Sequence, residues 1–214
     1  MFLNDGVVVR TKTEVKREAI LSIAIDVFLE KGFEGTSMSD IAARVGGSKR
    51  TLYGYFPSKE ALFVEAVRST GEELFQPLFD EFEHLDTPLP LALRRFGQGM
   101  SQAHSEGPIL HLLRAMIGVA GRSDVGKKFF EQGPRHGEQI LARYLSAQMD
   151  AGALKVSDPL LAARHFVALL QAEVLLPRLL NVPMDTSPQE VAAMTERAVD
   201  AFLVLYRLED RATP

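Results

Sequence analysis

The segment from Thr36 to Lys59, TSMSDIAARVGGSKRTLYGYFPSK, constrains this chain more than any other part because it carries three helix caps in close succession. Ser37, followed three residues later by Asp40, predicts a capping-box start in which the serine oxygen meets an unpaired backbone N–H of the first turn. Gly46 predicts the end of that helix, because glycine adopts the left-handed C-terminal geometry without a side-chain clash. The sequence therefore predicts a first short helix from Met38 to Val45.

A second short helix is predicted from Lys49 to Phe56, with Ser48 as its cap and Pro57 as its stop. Helical spacing turns Leu52 toward the first helix, and polar residues remain on the outer face. Lys and Arg pair with phosphates and guanine, and hydroxyl groups bind phosphate, so this face suits DNA. The pattern predicts a helix-turn-helix whose candidate DNA contacts are Ser37, Gly47, Ser48, Lys49, Arg50, Thr51, Tyr53, Tyr55 and Lys59.

The same segment resembles the DNA-binding domain of the TetR family of bacterial transcriptional regulators. The resemblance rests on a Thr/Ser start, an I-A-x-x-V-G helix, an S-K-x-T-L-Y-x-Y-F recognition helix and a closing P-S-K-E-x-L, and it covers residues 14 to 67. It departs at Gly47, where the family usually has an apolar residue, so we expect slightly looser packing of the turn. The resemblance implies a DNA-binding homodimer whose helical body encloses a ligand cavity among its middle helices.

Composition and charge agree with a regulator of this kind. The chain has 214 residues and no cysteine, which excludes disulfides and thiolate metal sites. Its formal charge of −4 is uneven, with +2 in residues 1–59 and −6 in the remainder, so a small basic end is joined to an acidic body. The sequence contains no bilayer-length apolar run and opens without a signal sequence, so we predict a cytoplasmic, nucleoid-associated protein without membrane contact.

Helical periodicity continues through the rest of the chain and predicts an all-α fold. A long helix from Lys59 to about Phe82, interrupted by Pro77, is the expected lever between an N-terminal unit and a C-terminal body. Proline or glycine then delimits further helical blocks, among them Pro159 to Leu180 and Pro188 to Leu208. We divide the chain into a flexible arm (1–13), a helix-turn-helix DNA-binding domain (14–67) and an all-helical effector-binding and dimerisation domain (68–214). The arm is interpreted either as upstream sequence without a role or as a basic arm that contacts the DNA backbone.

The last two helical blocks carry more apolar side chains than the core of a single small domain requires. Burying them against a second copy as a four-helix bundle is one solution, and a purely intramolecular core is the alternative. The candidate dimer residues are Leu169, Leu176, Val191, Met194, Ala198, Ala201, Phe202 and Leu205.

Candidate effector contacts are the apolar residues of the middle helices and the polar residues within apolar helices, since buried polar groups need a partner. They are Phe96, Met100, His111, Arg114, Met116, Phe130, Tyr144, Phe166, Leu170, Gln171 and Glu173, with His165 also among the polar candidates. An ion pair between Glu173 and Arg178 across the dimer is an equally weighted alternative to a ligand role for Glu173.

The sequence contains no motif that indicates catalysis or metal binding. The five histidines, His84, His104, His111, His136 and His165, form no metal-binding motif, and no nucleophile elbow or phosphate loop is present, so no metal, cofactor or catalytic residue is predicted. We therefore predict a homodimeric repressor that binds a pseudo-palindromic operator and is released by a small, largely apolar ligand. The alternatives are a DNA-binding regulator controlled by a protein partner or by no effector and, more weakly, a helical enzyme.

Overall fold

The computed structural model describes residues 12–83, 87–105, 107–121 and 124–208. These residues form α-helices, one short 3-10 segment and loops, with no β-strand among them, which confirms the predicted all-α fold. The helices are α1 (Lys12–Lys31), α2 (Met38–Val45), α3 (Lys49–Tyr55), α4 (Lys59–Asp80), α5 (Leu89–Ser105), α6 (Pro108–Ala120), α7 (Val125–Gln132), α8 (Pro134–Asp150), α9 (Pro159–Gln171), α10 (Leu175–Leu179) and α11 (Pro188–Tyr206), and the 3-10 segment is Glu81–Glu83.

The chain divides into two compact units between Ala66 and Val67. In the first unit, α1, α2, α3 and the start of α4 bury a core of large apolar side chains, among them Ile20, Phe28, Ile41, Leu52 and Phe63. Phe33, which follows α1, is buried, and its ring centroid lies 4.9 Å from that of Phe63. This core fixes α2 and α3 against each other.

The second unit is built from the rest of α4 and the helices that follow it. Helix α8 packs along α9, and α11 packs along both α5 and α9. Aromatic rings fill the core between them, with 4.3 Å between the ring centroids of Phe82 and Tyr144 and 4.9 Å between those of Phe166 and Phe202. Helices α6, α7 and the start of α8 pack in sequence beside this core.

The predicted block from Pro159 to Leu180 is not one helix. Helix α9 ends at Gln171, a turn follows, and α10 begins at Leu175. The physical reason is Pro177, because it lacks the N–H that would bond to the carbonyl of Glu173 and its ring would clash with that carbonyl. Asn181 then takes a left-handed conformation with φ 58°, which ends the short helix.

Part of what the sequence predicts lies outside the described residues. This applies to residues 1–11 of the expected arm and to His84, Leu85 and Asp86. Among the helices that the structure does describe, none is both long enough and apolar enough to cross a membrane.

Candidate nucleic-acid interface and internal cavity

The predicted caps form and hold α2 in place. The Ser37 side chain accepts a hydrogen bond from the backbone N–H of Asp40 at 3.2 Å, and the Asp40 carboxylate accepts the Ser37 backbone N–H at 2.9 Å, which completes the capping box. Hydrogen bonds from Ser37 and from the Lys31 ammonium hold the pKa of the Asp40 carboxyl well below its usual value. The two reciprocal hydrogen bonds between Ser37 and Asp40 therefore fix the start of α2.

The turn between α2 and α3 is a Schellman motif. Gly46 has φ 70°, its N–H donates to the carbonyl of Ala43 at 3.2 Å, and the N–H of Gly47 donates to the carbonyl of Ala42 at 3.0 Å. A Cβ added at Gly47 would meet only Val45, at an ordinary 3.8 Å. The turn therefore needs glycine at position 46 but has room for a side chain at position 47.

Helix α3 presents a polar outer face. Lys49, Arg50, Thr51 and Tyr53 are exposed while Leu52 is buried, so the helix is anchored by one face and free on the other. The Ser48 hydroxyl oxygen accepts a hydrogen bond from the Thr51 backbone N–H at 3.1 Å and lies 2.9 Å from the Thr51 hydroxyl oxygen. Within the described part of the chain, the side chains of Lys49, Arg50 and Tyr53 make no hydrogen bond or ion pair.

Lys59 has internal partners instead. Its ammonium donates to the carbonyls of Phe33 at 2.9 Å and Thr36 at 3.0 Å, and it lies 4.1 Å from the centroid of the Phe33 ring. The Thr36 hydroxyl in turn donates to the carbonyl of Gly32 at 2.7 Å. These bonds tie the loop before α2 to the start of α4, so Lys59 positions the helix-turn-helix within the first unit.

The second unit contains a partly open cavity of about 620 Å³. Its buried wall is apolar and aromatic and is formed by α4, α5, α6 and α8, whereas its rim is polar and exposed. The lining residues include Val67, Gly71, Phe75, Phe79, Phe96, Met100, His104, Ile109, Leu113, Phe129, Leu141, Val167, Gln171 and Leu175, with Arg68, Glu72, Gln76, Glu131, Gln132, His136 and Glu138 among the polar members. A cavity of this size and character suits a small organic molecule.

His104 is the buried polar group in the cavity wall. The residue is 5% exposed, its Nδ1 atom has no hydrogen-bond partner among the described residues, and its ring centroid lies 5.9 Å from that of Phe75. Removal from water lowers the pKa of His104 to about 4. The imidazole is therefore uncharged at neutral pH.

Large apolar side chains remain exposed on the C-terminal helices. Leu176 and Leu180 of the α10 region are 63% and 67% exposed, and Val204 and Leu205 of α11 are 85% and 48% exposed. Ala201, Val204 and Leu205 follow helical spacing, so they share one face of α11. We call the exposed residues Leu161, Leu176, Leu180, Val204 and Leu205, together with the half-buried Ala201, the C-terminal apolar surface.

Comparison with known proteins identifies the family. The model for bacterial regulatory proteins of the TetR family matches residues 20–66, and the model for the C-terminal domain of AefR-like transcriptional repressors matches residues 91–208. The second match alone spans more than half of the chain. The chain belongs to the TetR family.

Known TetR regulators resemble this chain over different lengths. The HTH-type transcriptional regulator RutR of Escherichia coli is 46% identical over 63 residues, and this match spans only 29% of the chain and 30% of RutR. A TetR-family transcriptional regulator from Mesorhizobium loti superposes with a TM-score of 0.84 at 27% identity, covering 93% of this chain and 100% of its own. The flavonoid-responsive regulator FrrA superposes with a TM-score of 0.72 at 29% identity, covering 92% and 99%. The chain thus shares the fold of TetR-family transcriptional regulators over nearly its whole length.

The structure separates the predicted effector contacts into several groups. Phe96, Met100 and Gln171 line the cavity of this TetR body, whereas the lining residues do not include the buried side chains of Met116, Tyr144, Phe166 and Leu170. Those four pack into the helical core because their helices are apolar on more than one face. Phe130 is exposed, and its neighbour Phe129 lines the cavity in its place.

Most of the polar candidates either form hydrogen bonds or ion pairs or are exposed, and are not buried in the core without a partner. Arg114 donates to the carbonyls of Leu179 at 3.0 Å and of Arg178, so it caps the end of α10. Glu173 pairs with Arg197 of the same protomer at 2.6 Å, and the Arg178 guanidinium donates to the carbonyl of Ser105 at 2.7 Å. His111 and His165 are exposed, and His165 Nδ1 lies 2.6 Å from the Tyr206 hydroxyl.

The predicted dimer residues also divide into two sets. Val191, Met194, Ala198 and Phe202 are buried within the protomer, where the inner face of α11 packs on α5 and α9. Leu176 and Leu205 are exposed, and Leu169 and Ala201 are half-buried. Helix α11 is apolar on two faces, and the outer one holds the residues that remain available to a second copy.

The buried histidine is the residue that sequence reasoning missed. From the sequence, His104 is considered only as a possible metal ligand. The described residues contain no cluster of His, Asp and Glu able to hold a metal. The available signal is a histidine on the apolar stripe of α5, four residues after Met100 and therefore on the same helical face.

Proposed function

We propose that the protein is a homodimeric repressor that binds a pseudo-palindromic operator and releases it when a small, largely apolar molecule occupies the cavity. The family supplies the general function, which is DNA-binding transcriptional regulation. The operator contacts, the dimer and the effector are our proposals, and each is supported by a separate feature of the molecule.

The outer face of α3 carries the proposal. Lys49, Arg50 and Tyr53 are exposed and have no internal partner in the described part of the chain, so their polar groups are available to DNA. Arg50 suits bidentate pairing with guanine, and Lys49 suits phosphate. Ser37, Gly47 and Lys59 use donors in the capping box, the Schellman turn and the loop contacts, so we assign them a positioning role.

The C-terminal apolar surface supports a homodimer. Large apolar side chains exposed on these helices favour an interaction surface, and a two-fold dimer buries the same residues on both copies. Two recognition helices related by that axis would read two half-sites about 34–36 Å apart, one turn of the double helix.

The cavity supports control by a small molecule over control by a protein partner alone. FrrA, which shares the fold of both units, is named a flavonoid-responsive regulator, and this favours an organic effector. Helix α4 places Val67, Gly71 and Phe75 in the cavity wall, while its first residues, including Leu62 and Phe63, belong to the core of the DNA-binding unit. An effector that binds one arrangement of α4 better than another would lower operator affinity by that difference.

The family also bears on the alternatives. Membership of the TetR family argues against the helical enzyme, because the matched families are regulators. A regulator without an effector would be better served by a closed, fully packed body than by a cavity of about 620 Å³.

Operator binding tests the proposal directly. A duplex recovered from a random pool is labelled, and its affinity is measured by fluorescence anisotropy for the wild type, Arg50→Ala and Tyr53→Ala. We expect each variant to lose about 1–3 kcal/mol of binding free energy because a base or phosphate contact is removed. Arg135→Ala, which removes an exposed positive charge in the second unit, is the matched control and should bind as the wild type does. Unchanged affinity in both α3 variants would rule out this reading face.

A further inference from the structure

The charges at the rim of the cavity limit what can bind there. Arg68 is the only Lys or Arg among the described lining residues, and it is paired with Glu72. Glu131 is exposed at the rim, and Glu138 is paired with Arg164. The lining offers an anion no uncommitted guanidinium or ammonium group, and its carboxylates would repel one. A carboxylate or phosphate ligand would therefore lose its hydration without gaining a counter-charge.

The wall selects for an aromatic molecule. Phe75, Phe79, Phe96 and Phe129 line the cavity, and the ring centroids of Phe79 and Phe96 are 5.4 Å apart. Aromatic rings favour tilted or offset contacts with other rings at such distances, which adds to the gain from burying apolar area. A planar ring system therefore gains more from this wall than a flexible chain of equal size.

His104 supplies the polar contact inside this apolar wall. The ring is neutral, so one nitrogen donates a hydrogen bond and the other accepts one, and Nδ1 has no partner within the described part of the protein. A buried polar atom without a partner destabilises the folded state. Nδ1 is enclosed by protein atoms in this structure, and a turn of the imidazole about its χ2 torsion would present it to a bound molecule.

Building on the effector site proposed above, we propose that the cavity binds an uncharged aromatic molecule bearing a hydroxyl group, and that His104 forms a hydrogen bond with that hydroxyl. The phenyl wall holds the ring system, the neutral imidazole recognises the hydroxyl, and the acidic rim rejects anionic analogues. A phenol fits these requirements because it stays protonated at neutral pH.

Matched probes test each part of this proposal by isothermal titration calorimetry on the full-length chain. The probes are 4-phenylphenol, biphenyl, biphenyl-4-carboxylate and 1-dodecanol. We expect 4-phenylphenol to bind the wild type about tenfold more tightly than biphenyl, as one hydrogen bond to a buried partner predicts. Biphenyl-4-carboxylate and 1-dodecanol should bind more weakly than 4-phenylphenol by a similar factor or more.

Variants at position 104 assign the hydrogen bond. His104→Leu should bind 4-phenylphenol and biphenyl equally, while His104→Gln, which keeps a donor and an acceptor, should retain part of the preference. His111→Leu makes the same change at an exposed histidine outside the cavity and should leave the preference intact. Thermal unfolding of each variant confirms that it is folded, and His104→Leu should melt no lower than the wild type because it removes an unpaired polar atom.

Failure of this inference is distinguishable from failure of the proposed function. Absence of 4-phenylphenol binding, equal binding of the carboxylate or of dodecanol, or a preference for the phenol that survives in His104→Leu would overturn the inference. Operator binding by the same preparation would leave the DNA-binding function standing. Conversely, probe binding with the expected pattern but without loss of operator affinity would support the ligand class and contradict the effector role.

Discussion

The burial of His104 makes the stability of the second unit depend on pH in a way that one substitution removes. Burial lowers the pKa of His104 from 6.5 to about 4 in the folded protein, whereas the unfolded chain binds the same proton near the ordinary value. Below pH 6.5 the unfolded state therefore takes up a proton that the folded state does not. The corresponding part of the unfolding free energy is fully present above pH 6.5 and is lost as the pH falls toward 4.

The size of the effect follows from the pKa difference. Each pKa unit corresponds to about 1.36 kcal/mol, so between pH 7 and pH 4 the wild type should lose about 3 kcal/mol of unfolding free energy through this residue. His104→Leu lacks the group, so its unfolding free energy should fall by about 3 kcal/mol less over the same range. At pH 7 the leucine variant should be equal to or more stable than the wild type.

Urea unfolding followed by circular dichroism at several pH values from 7 to 4 measures the difference between the two proteins. All other titrating groups are common to both, so their contributions cancel in the comparison. His111→Leu, the same change at an exposed position, serves as the control and measures the effect of removing a histidine that is not buried. Parallel curves for the wild type and His104→Leu would refute the reasoning, since His104 would then titrate alike in both states.

Three further predictions follow from other contacts. Lys59→Met should destabilise the first unit by about 2 kcal/mol, since it removes two charge-assisted hydrogen bonds, and an unchanged urea midpoint would contradict this. Val204→Glu should shift sedimentation toward a monomer by placing a charge in the proposed interface, whereas Val156→Glu, at a loop position that is equally exposed, should not. Gly46→Ala should cost about 1 kcal/mol because of its left-handed conformation, but Gly47→Ala should be neutral or slightly stabilising by thermal denaturation.

The first unit could be predicted from the sequence almost completely because local signals determine it. The caps at Ser37 and Ser48, the glycine turn at Gly46 and the buried position of Leu52 all follow from interactions between residues close in the chain. The looser turn expected at Gly47 is compatible with the free space beside it. The role of Lys59 could not be predicted, because its partners Phe33 and Thr36 are more than twenty residues away.

The second unit was harder to predict because its helices are apolar on several faces. Periodicity finds the apolar positions of α11, but it does not tell whether Phe202 or Leu205 faces the protomer's own core. The same ambiguity placed Phe166 and Leu170 in the cavity rather than in the core beside it. Packing of α5 against α4 decides that Phe96 and His104 line the cavity, and that packing depends on tertiary structure.

Selection of bound duplexes from a random DNA pool tests the central claim most directly, because it examines DNA binding, two-fold symmetry and half-site spacing together. The account predicts enrichment of a pseudo-palindrome whose half-sites lie about one helical turn apart, and loss of that enrichment in Arg50→Ala. Failure of the wild type to enrich any sequence, or enrichment of a single half-site without symmetry, would contradict it.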